Sequence, residues 1–249
     1  MARTFLHPDD ALKLVLENIE DYGDENISVF DSYNRVLTEE VFAKTDDPPF
    51  DKSSMDGYVY KDYKGEIYEL IENNIIAAGS SKNIGVGEGE CVKIMTGAMI
   101  PNGCNFVQRI EWTEEIKKDG KPFIKFIKKE NVANIIKRGN NKKIGEKILD
   151  KKFILYKDMA ILSGFGYDKI TVKNKINVAV ISSGNEIADI GADLKEGEIY
   201  DANAPMLLSR VSNLSCNGRF YGRARDDENE IRDILNKAIN ENDMVLITG

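Results

Sequence analysis

Residues 178–181, Val-Ala-Val-Ile, are apolar at four consecutive positions. A strand with one wet face would alternate, so this run implies burial on both faces, as in the interior of a parallel sheet. The sequence after it keeps a matching rhythm. A helix is predicted from about 204 to 215, with Asn203 as its cap and Gly218 just past its end. Residues 219–222 (RFYG) read as a second strand. Asp227 then caps a helix over 228–240, in which Ile231, Ile234, Leu235, Ala238 and Ile239 form one stripe of period 3.6. Residues 244–248 (MVLIT) read as a third buried strand. The order β-α-β-α-β predicts a parallel sheet with right-handed crossovers. The sequence stops at Gly249, on the tip of that strand. A parallel strand normally leads into a loop and a returning helix, so the expectation is an N-terminal portion of a longer protein. That portion should be inactive alone and carry an exposed sheet edge.

The rest of the chain has a different texture. Residues 8–20 read as an amphipathic helix, with Leu12, Val15, Leu16 and Ile19 on one face and Pro8 suited to the first turn. From about 27 to 148, short β-like runs alternate with turn residues: GYVY at 57–60, CVKIM at 91–95, FVQRIEW at 106–112 and FIKFI at 123–127. Ile124 and Phe126 share one face of the last run. Turns are marked at 85–90, 101–103 and 118–122.

Composition removes several classes of function. A net charge of −8 argues against general binding of nucleic acid or anionic membranes. No stretch approaches the ~18–20 apolar residues that span a bilayer, and the N-terminus lacks signal-peptide order, so a cytoplasmic location is expected. Cys91, Cys104 and Cys216 are scattered without a CxxC pair and read as buried or idle thiols. His7 is the single histidine, which nearly excludes a His/Cys zinc site and leaves a Ser-His-Asp triad unsupported. Chemistry must rest on carboxylates, hydroxyls, lysines, backbone amides or a hard metal.

In an open parallel sheet, ligands bind beyond the carboxyl ends of the strands. Three loops qualify: Ser182-Ser183-Gly184-Asn185-Glu186, Arg223-Ala224-Arg225-Asp226-Asp227, and Thr248-Gly249. Together they offer hydroxyls, amides, carboxylates and arginines able to hold a phosphate with a divalent cation such as Mg²⁺. Helix capping by Asp226 and Asp227 is the alternative reading. Two further segments stand out. DDPPFDKSSMDGYVY (46–60) is rich in aspartate, proline and serine and poor in core residues, so it reads as a shaped loop that presents Asp51 and Asp56, or as a plain surface turn. KIMTGAMIPNG (93–103) sets Thr96-Gly97 at a strand end, where a hydroxyl and free amides can meet an anion.

These segments carry a resemblance. PPFDKSSMDGYVY resembles the PPFDNSAMDGYA signature of the molybdopterin molybdenumtransferases of the MoeA (gephyrin E-domain) family. IMTGAMIPNGCNFV, followed by Glu111, resembles that family's IMTGAPxPxGADAVV…E stretch. IKRGNNKKIGEKIL resembles RRRGEDxxxGExLL. VAVISSGNEI, then GEIYDAN and RDDENEI, resembles VAxxSTGDEL…GxIxDxN…xDDxxxL. The motifs run in order through the whole chain. The resemblance implies a multidomain α+β fold: an elongated β-rich N-terminal region (1–45 and 133–172, with the leading helix), a small inserted β domain (46–132), and the first half of an α/β molybdopterin-binding-like domain (173–249). It implies a homodimer that inserts molybdate into adenylylated molybdopterin with release of AMP and with Mg²⁺. The molybdopterin adenylyltransferase and apo-molybdoenzymes are further partners it implies, with no nucleic acid and no membrane.

Carried over residue by residue, the catalytic positions are Asp56, Thr96, Glu186 and Asp226. In the implied dimer, Asp56 and Thr96 face the α/β cleft of the partner chain. Glu186 and Asp226 are also the metal carboxylates. Ser183, Gly184, Asp201, Asn203, Thr248 and Gly249 are the binding positions. Two oxyanions brought together need compensation by cations and donors, and Lys52, Arg138, Arg223 and Arg225 are candidates to supply it. The sequence departs from the family where Asn140-Asn141 replaces Glu-Asp and Asn185 replaces the Asp of TGDE. Those changes lower the local negative charge and leave molybdate or tungstate open as the cargo. A non-catalytic scaffold of the same fold and a generic nucleotide-binding α/β enzyme are the competing readings.

Overall fold

The computed structural model describes residues 6–61, 65–80 and 84–249. The chain divides into two compact units: Met1–Glu40 with Leu149–Gly249, and Val41–Ile148. Short antiparallel pairing of Lys52–Ser53 with Ile135–Ile136, and hydrogen bonding between Asp47 and Lys142, tie the flanking segments into the second unit.

The first unit opens with α1 (Pro8–Glu17), which begins at Pro8 and is capped by His7, whose Nδ1 accepts the Asp9 amide at 3.3 Å. The helix stops three residues before the expected end, where the Asn18 side chain turns back to donate to Leu14 O. Its apolar stripe is open to solvent, with Leu12, Val15, Leu16 and Ile19 each more than half exposed. Strand β1 (Asp24–Ser28) follows.

The second unit is built on one sheet. Its strands are β2 (Gly57–Tyr60), β3 (Ile67–Ile76), β4 (Glu90–Ile94), β5 (Phe106–Arg109), β6 (Thr113–Lys118) and β7 (Lys121–Phe126), in the order β5-β2-β4-β3-β7-β6. Neighbours are antiparallel except β3 and β4, which run parallel through a register shift between Leu70 and Ile75. Alternation sorts the side chains. Val59, Val92, Ile94 and Val107 pack into one cluster, while Tyr58, Tyr60, Cys91, Ile124 and Phe126 pack into another. The expected sharing of a face by Ile124 and Phe126 is what buries both. The run at 106–112 is only half strand, because Ile110–Trp112 turns into a 3-10 helix. Between β6 and β7, Asp119 and Gly120 both have positive φ (50° and 80°), as a two-residue hairpin of matching twist requires.

The first unit resumes with α2 (Tyr156–Gly164), a helix that sequence analysis does not assign. Its start is fixed by Asp158, which accepts the Leu155 amide and pairs with Lys152. Next come β8 (Lys169–Lys173), antiparallel to β1, then β9 (Asn177–Ser183), α3 (Asn203–Asn213), β10 (Asn217–Ala224), α4 (Glu228–Glu241) and β11 (Met244–Thr248). Strands β10, β9 and β11 form a parallel sheet with β9 in the middle. That position buries Val178 to Ile181, as the apolar run requires. β11 lies at one edge of this sheet, where Met244 and Ile247 are exposed, in keeping with the exposed sheet edge expected of it. Asp227 caps α4 as expected, accepting the amides of Asn229 and Glu230 at 3.0 Å. Asn203 is not the cap of α3 but its first residue. Ala202 holds the cap position, and the side-chain cap comes from Asp201 just before it, whose Oδ1 accepts the amides of Asn203 and Ala204.

Candidate functional site

Loops at the carboxyl ends of β9 and β11 enclose a cavity of about 180 Å³ in the first unit. Ser182, Ser183, Glu186, Asp201, Asn203 and Thr248 contribute to its lining, as does Gly249. The loop after β9 is shaped by Gly184, whose φ of +142° few side chains adopt; a Cβ there would stand 2.7 Å from a Glu186 carboxylate oxygen. Glu186 is therefore folded back over the Gly184 peptide, and its carboxylate takes no hydrogen bond or ion pair among the described residues. Ser183 donates through Oγ to Thr248 O at 3.0 Å, which ties the end of β9 to the end of β11. A Cβ on Gly249 would fall 2.7 Å from that hydroxyl, so glycine keeps the approach open.

Asp201 is engaged by the protein on several sides. Besides the two α3 amides, it accepts the Ser182 hydroxyl at 2.5 Å, with Ser182 itself 1% exposed. Three donors fill much of its acceptor capacity. Asp201 is thus a brace that fixes the end of β9 to the start of α3. Ser182, at the other end of that brace, enters the sequence reading only as the first residue of the loop after β9, with no role of its own. Nothing local marks it, because a serine closing an apolar run looks like a strand end.

Asp226 lies on the loop after β10. Its amide donates to Asn185 Oδ1 at 3.2 Å, which joins this loop to the one bearing Glu186. Among the described residues, no three His, Cys, Asp or Glu side chains gather closely enough to hold a metal by themselves. The donor set present, two carboxylates on neighbouring loops, suits Mg²⁺, which is commonly held by one or two carboxylates with waters and substrate phosphate oxygens.

The second unit holds the other expected pair. Asp56 Oδ1 accepts both the amide and the hydroxyl of Thr96, each at 2.7 Å. These bonds, the amide's first, hold the exposed Asp56 carboxyl below the usual carboxylate range. Gly97 follows with φ +80°, and its amide bonds Ser53 O. Gly57 is required for another reason: a Cβ there would sit 2.0 Å from the Gln108 carbonyl oxygen across the sheet.

The candidate cations divide. Arg138 pairs with Asp46, and Arg223 donates to Ile187 O and faces Asp189, so both are committed to the fold. Lys52 is half-buried and Arg225 exposed, and neither side chain has an ion pair among the described residues. Lys137 pairs with Asp51, whose carboxyl is lowered by that bond and by the Arg138 amide. Asn141 donates to Asp47 Oδ2 at 3.0 Å, and Asn140 approaches Asn141 Oδ1 at 3.5 Å. Cys91 and Cys104 are buried, and burial raises their thiols to about 12 and about 11, so they are inert as nucleophiles.

Residues 6–166 match the family model described as the MoeA N-terminal region (domain I and II). The chain belongs to the MoeA family. Residues 179–249 match the model of a probable molybdopterin binding domain, the stretch that contains the polar cavity. Relatives named molybdopterin molybdenumtransferase include one from Staphylococcus aureus (strain Mu50), 32% identical over 227 residues, covering 88% of this chain and 53% of the relative. One from Staphylococcus epidermidis (strain ATCC 12228) is 29% identical over 262 residues, covering 99% of this chain and 60% of the relative. A solved molybdopterin biosynthesis MoeA protein from Pyrococcus horikoshii OT3 superposes with a TM-score of 0.81 at 32% identity, covering 97% of this chain and 65% of that one. The chain thus spans about half to two thirds of the length of these MoeA relatives. It is a sheet-rich mixed α and β protein, with four α-helices among the described residues. No helix among the described residues is long and apolar enough to cross a membrane.

Proposed function

We propose that this chain is part of a molybdopterin molybdenumtransferase, acting in molybdenum cofactor biosynthesis in the cytoplasm as a homodimer. Its substrates are molybdate and adenylylated molybdopterin. Water cleaves the pyrophosphate link and AMP leaves; two Mo–S bonds then form as one molybdate oxygen departs as water with the two dithiol protons. The observation that carries this reading is the polar cavity at the carboxyl ends of β9 and β11, set within the segment similar to a probable molybdopterin binding domain. The inserted β domain at 46–132, the downstream molybdoenzymes and the adenylyltransferase as partners belong to the same proposal.

The residues divide the work by their chemistry. The Gly249 amide offers a donor to phosphate oxygens in the cavity, beside the Ser183 hydroxyl, whose proton is held by Thr248 O and whose oxygen can accept. Glu186 and Asp226 would hold Mg²⁺. When bound, Mg²⁺ neutralises phosphate charge and favours departure of the AMP oxygen. Asp201 holds the start of α3 in place through Ser182. In the second unit, Thr96 keeps Asp56 ionised and aimed, with Oδ2 left to meet a donor or a cation. Arg225 and Lys52 are the uncommitted cations available to the oxyanions.

The test is reconstitution of the gene product that contains this sequence. It is supplied with adenylylated molybdopterin, Mg²⁺ and either molybdate or tungstate, while AMP release and active-cofactor formation are followed together. Both signals are expected, and the preferred oxyanion names the metal. Nucleotide binding without turnover would replace the transferase with a binding protein of the same fold.

A further inference from the structure

Ser53 is 1% exposed, yet it joins the two loops of the second unit that carry Asp56 and Thr96. Its side chain serves the first loop, where Oγ donates to Met55 O at 2.6 Å. The Met55 carbonyl and the Asp56 amide belong to one rigid peptide plane, so this bond sets the direction in which the chain enters Asp56. The far side of Asp56 is held as well, since Asp56 O accepts the Ile110 amide at 3.2 Å. The Ser53 main chain serves the second loop. Residues 95–98 form a turn closed by the Ala98 amide on Met95 O at 3.0 Å, with Thr96 and Gly97 at its centre. Gly97 has φ +80°, as the third position of a type II turn requires. Ser53 O accepts the Gly97 amide at 2.8 Å, and the Ser53 amide donates to Ala98 O at 2.9 Å. One residue therefore grips both partners of the bonds from Thr96 to Asp56 Oδ1.

We propose that Ser53 is a positioning residue for the Asp56–Thr96 pair: its buried hydroxyl sets the register in which the Thr96 amide and hydroxyl meet Asp56. The inference rests on the transferase reading above for its consequence in turnover. Neighbouring Ser54 supplies the contrast. Its amide and its hydroxyl both donate to Asn134 O at 3.0 Å, so loss of that hydroxyl leaves the tie in place. Nothing duplicates the Ser53 hydroxyl in this way, for no second donor among the described residues reaches Met55 O. Without it the peptide before Asp56 is free to rotate, and the two Thr96 bonds lengthen together. Those bonds depress the Asp56 carboxyl, the amide first and then the hydroxyl, with the Lys93 charge acting in the same direction. The titration of Asp56 therefore reports its register with Thr96.

The experiment compares the gene product containing this sequence, labelled at the aspartate carboxyl carbon, with its Ser53→Ala and Ser54→Ala variants. Carboxyl carbon shifts are titrated with pH, and the Asp56 signal is the one lost in Asp56→Asn. AMP release from adenylylated molybdopterin gives kcat and KM in parallel. In Ser53→Ala the Asp56 pKa is expected to rise toward the ordinary aspartate value, with kcat lowered about tenfold and KM changed by less than about twofold. Ser54→Ala should match wild type in both readouts. Ser53→Cys keeps a weaker donor in nearly the same space. It should fall between wild type and Ser53→Ala, and it decides the question if Ser53→Ala does not fold. An Asp56 curve unchanged in Ser53→Ala, or in Ser53→Cys where that alone folds, overturns the inference whatever the rates do. A serine with only a structural role lowers the melting temperature and leaves that curve in place. An equal displacement in Ser54→Ala overturns the inference too, as does a wild-type kcat in Ser53→Ala. The transferase reading fails separately. No turnover in wild type, with the Asp56 curve displaced by Ser53→Ala and not by Ser54→Ala, removes that reading and keeps Ser53 as the residue that sets the pair.

Discussion

Asp56 and Glu186 are both carboxylates on glycine-flanked loops, and the two units treat them in opposite ways. One Asp56 oxygen takes two donors from Thr96 at 2.7 Å each. Glu186 bends over Gly184 and takes none among the described residues. A charge with protein donors is placed before any ligand arrives, so its position belongs to the fold. A charge without them is left for a ligand or cation to satisfy, and its removal should leave the fold nearly untouched. The contrast separates two roles that a motif alone makes look alike.

The contrast breaks or holds first at Glu186. Glu186→Ala should lower AMP release by about 100-fold or more while changing unfolding free energy by less than ~0.5 kcal/mol. Urea unfolding followed by far-UV circular dichroism measures the second quantity. A stability loss above ~1 kcal/mol would show that the carboxylate is part of the scaffold. Ser182→Ala should behave the other way. It strips a donor from a buried brace, at about 1–3 kcal/mol, and the same unfolding measurement applies. An unchanged midpoint would mean that the two α3 amides suffice for Asp201.

A smaller effect tests the Asp56 tether. The folded Asp56 carboxyl is depressed, so its contribution to stability is present above the ordinary carboxylate pKa and is lost as pH falls through the depressed value. Thr96→Val removes the hydroxyl bond and keeps the amide, so the folded pKa should rise part of the way back. The pH window of loss then moves upward and the contribution shrinks. Carboxyl carbon chemical shifts titrated in both proteins will show the displacement, and superimposable curves would dismiss the hydroxyl as a cause. The smallest expected effect is at Asn141, which donates to Asp47. Asn141→Asp should set like charges together and cost about 0.5 kcal/mol, relieved by added salt. A gain in stability at low salt would refute the pairing.

How much of this was legible depended on whether the signal was local. Apolar residues 178–181 and Asp227 announced β9 and α4 because burial and capping each leave a mark within a few residues. Helix α2 left little mark: its residues lack a strong apolar stripe, and its start depends on Asp158 reaching back to Leu155. The choice between Asn203 and Asp201 as the source of the side-chain cap was equally hidden. Both residue types suit the position, and only the Ser182 hydroxyl, 19 residues away, shows which side chain is held there. Asp56 and Thr96 were each visible in motifs, but their bond spans 40 residues and belongs to the sheet.

Trp112 is the single tryptophan of the chain, and it lies in the second unit with Arg109 and Lys128 over its ring at 4.1 and 4.0 Å. Its emission therefore senses the loss of two stacked cations when that unit unfolds. It has no counterpart in the parallel-sheet unit. A clean sigmoid in tryptophan emission would describe one half of the molecule and be silent on the half that holds the polar cavity, so agreement between that curve and a backbone signal is the evidence needed before a single unfolding free energy is assigned to the whole chain.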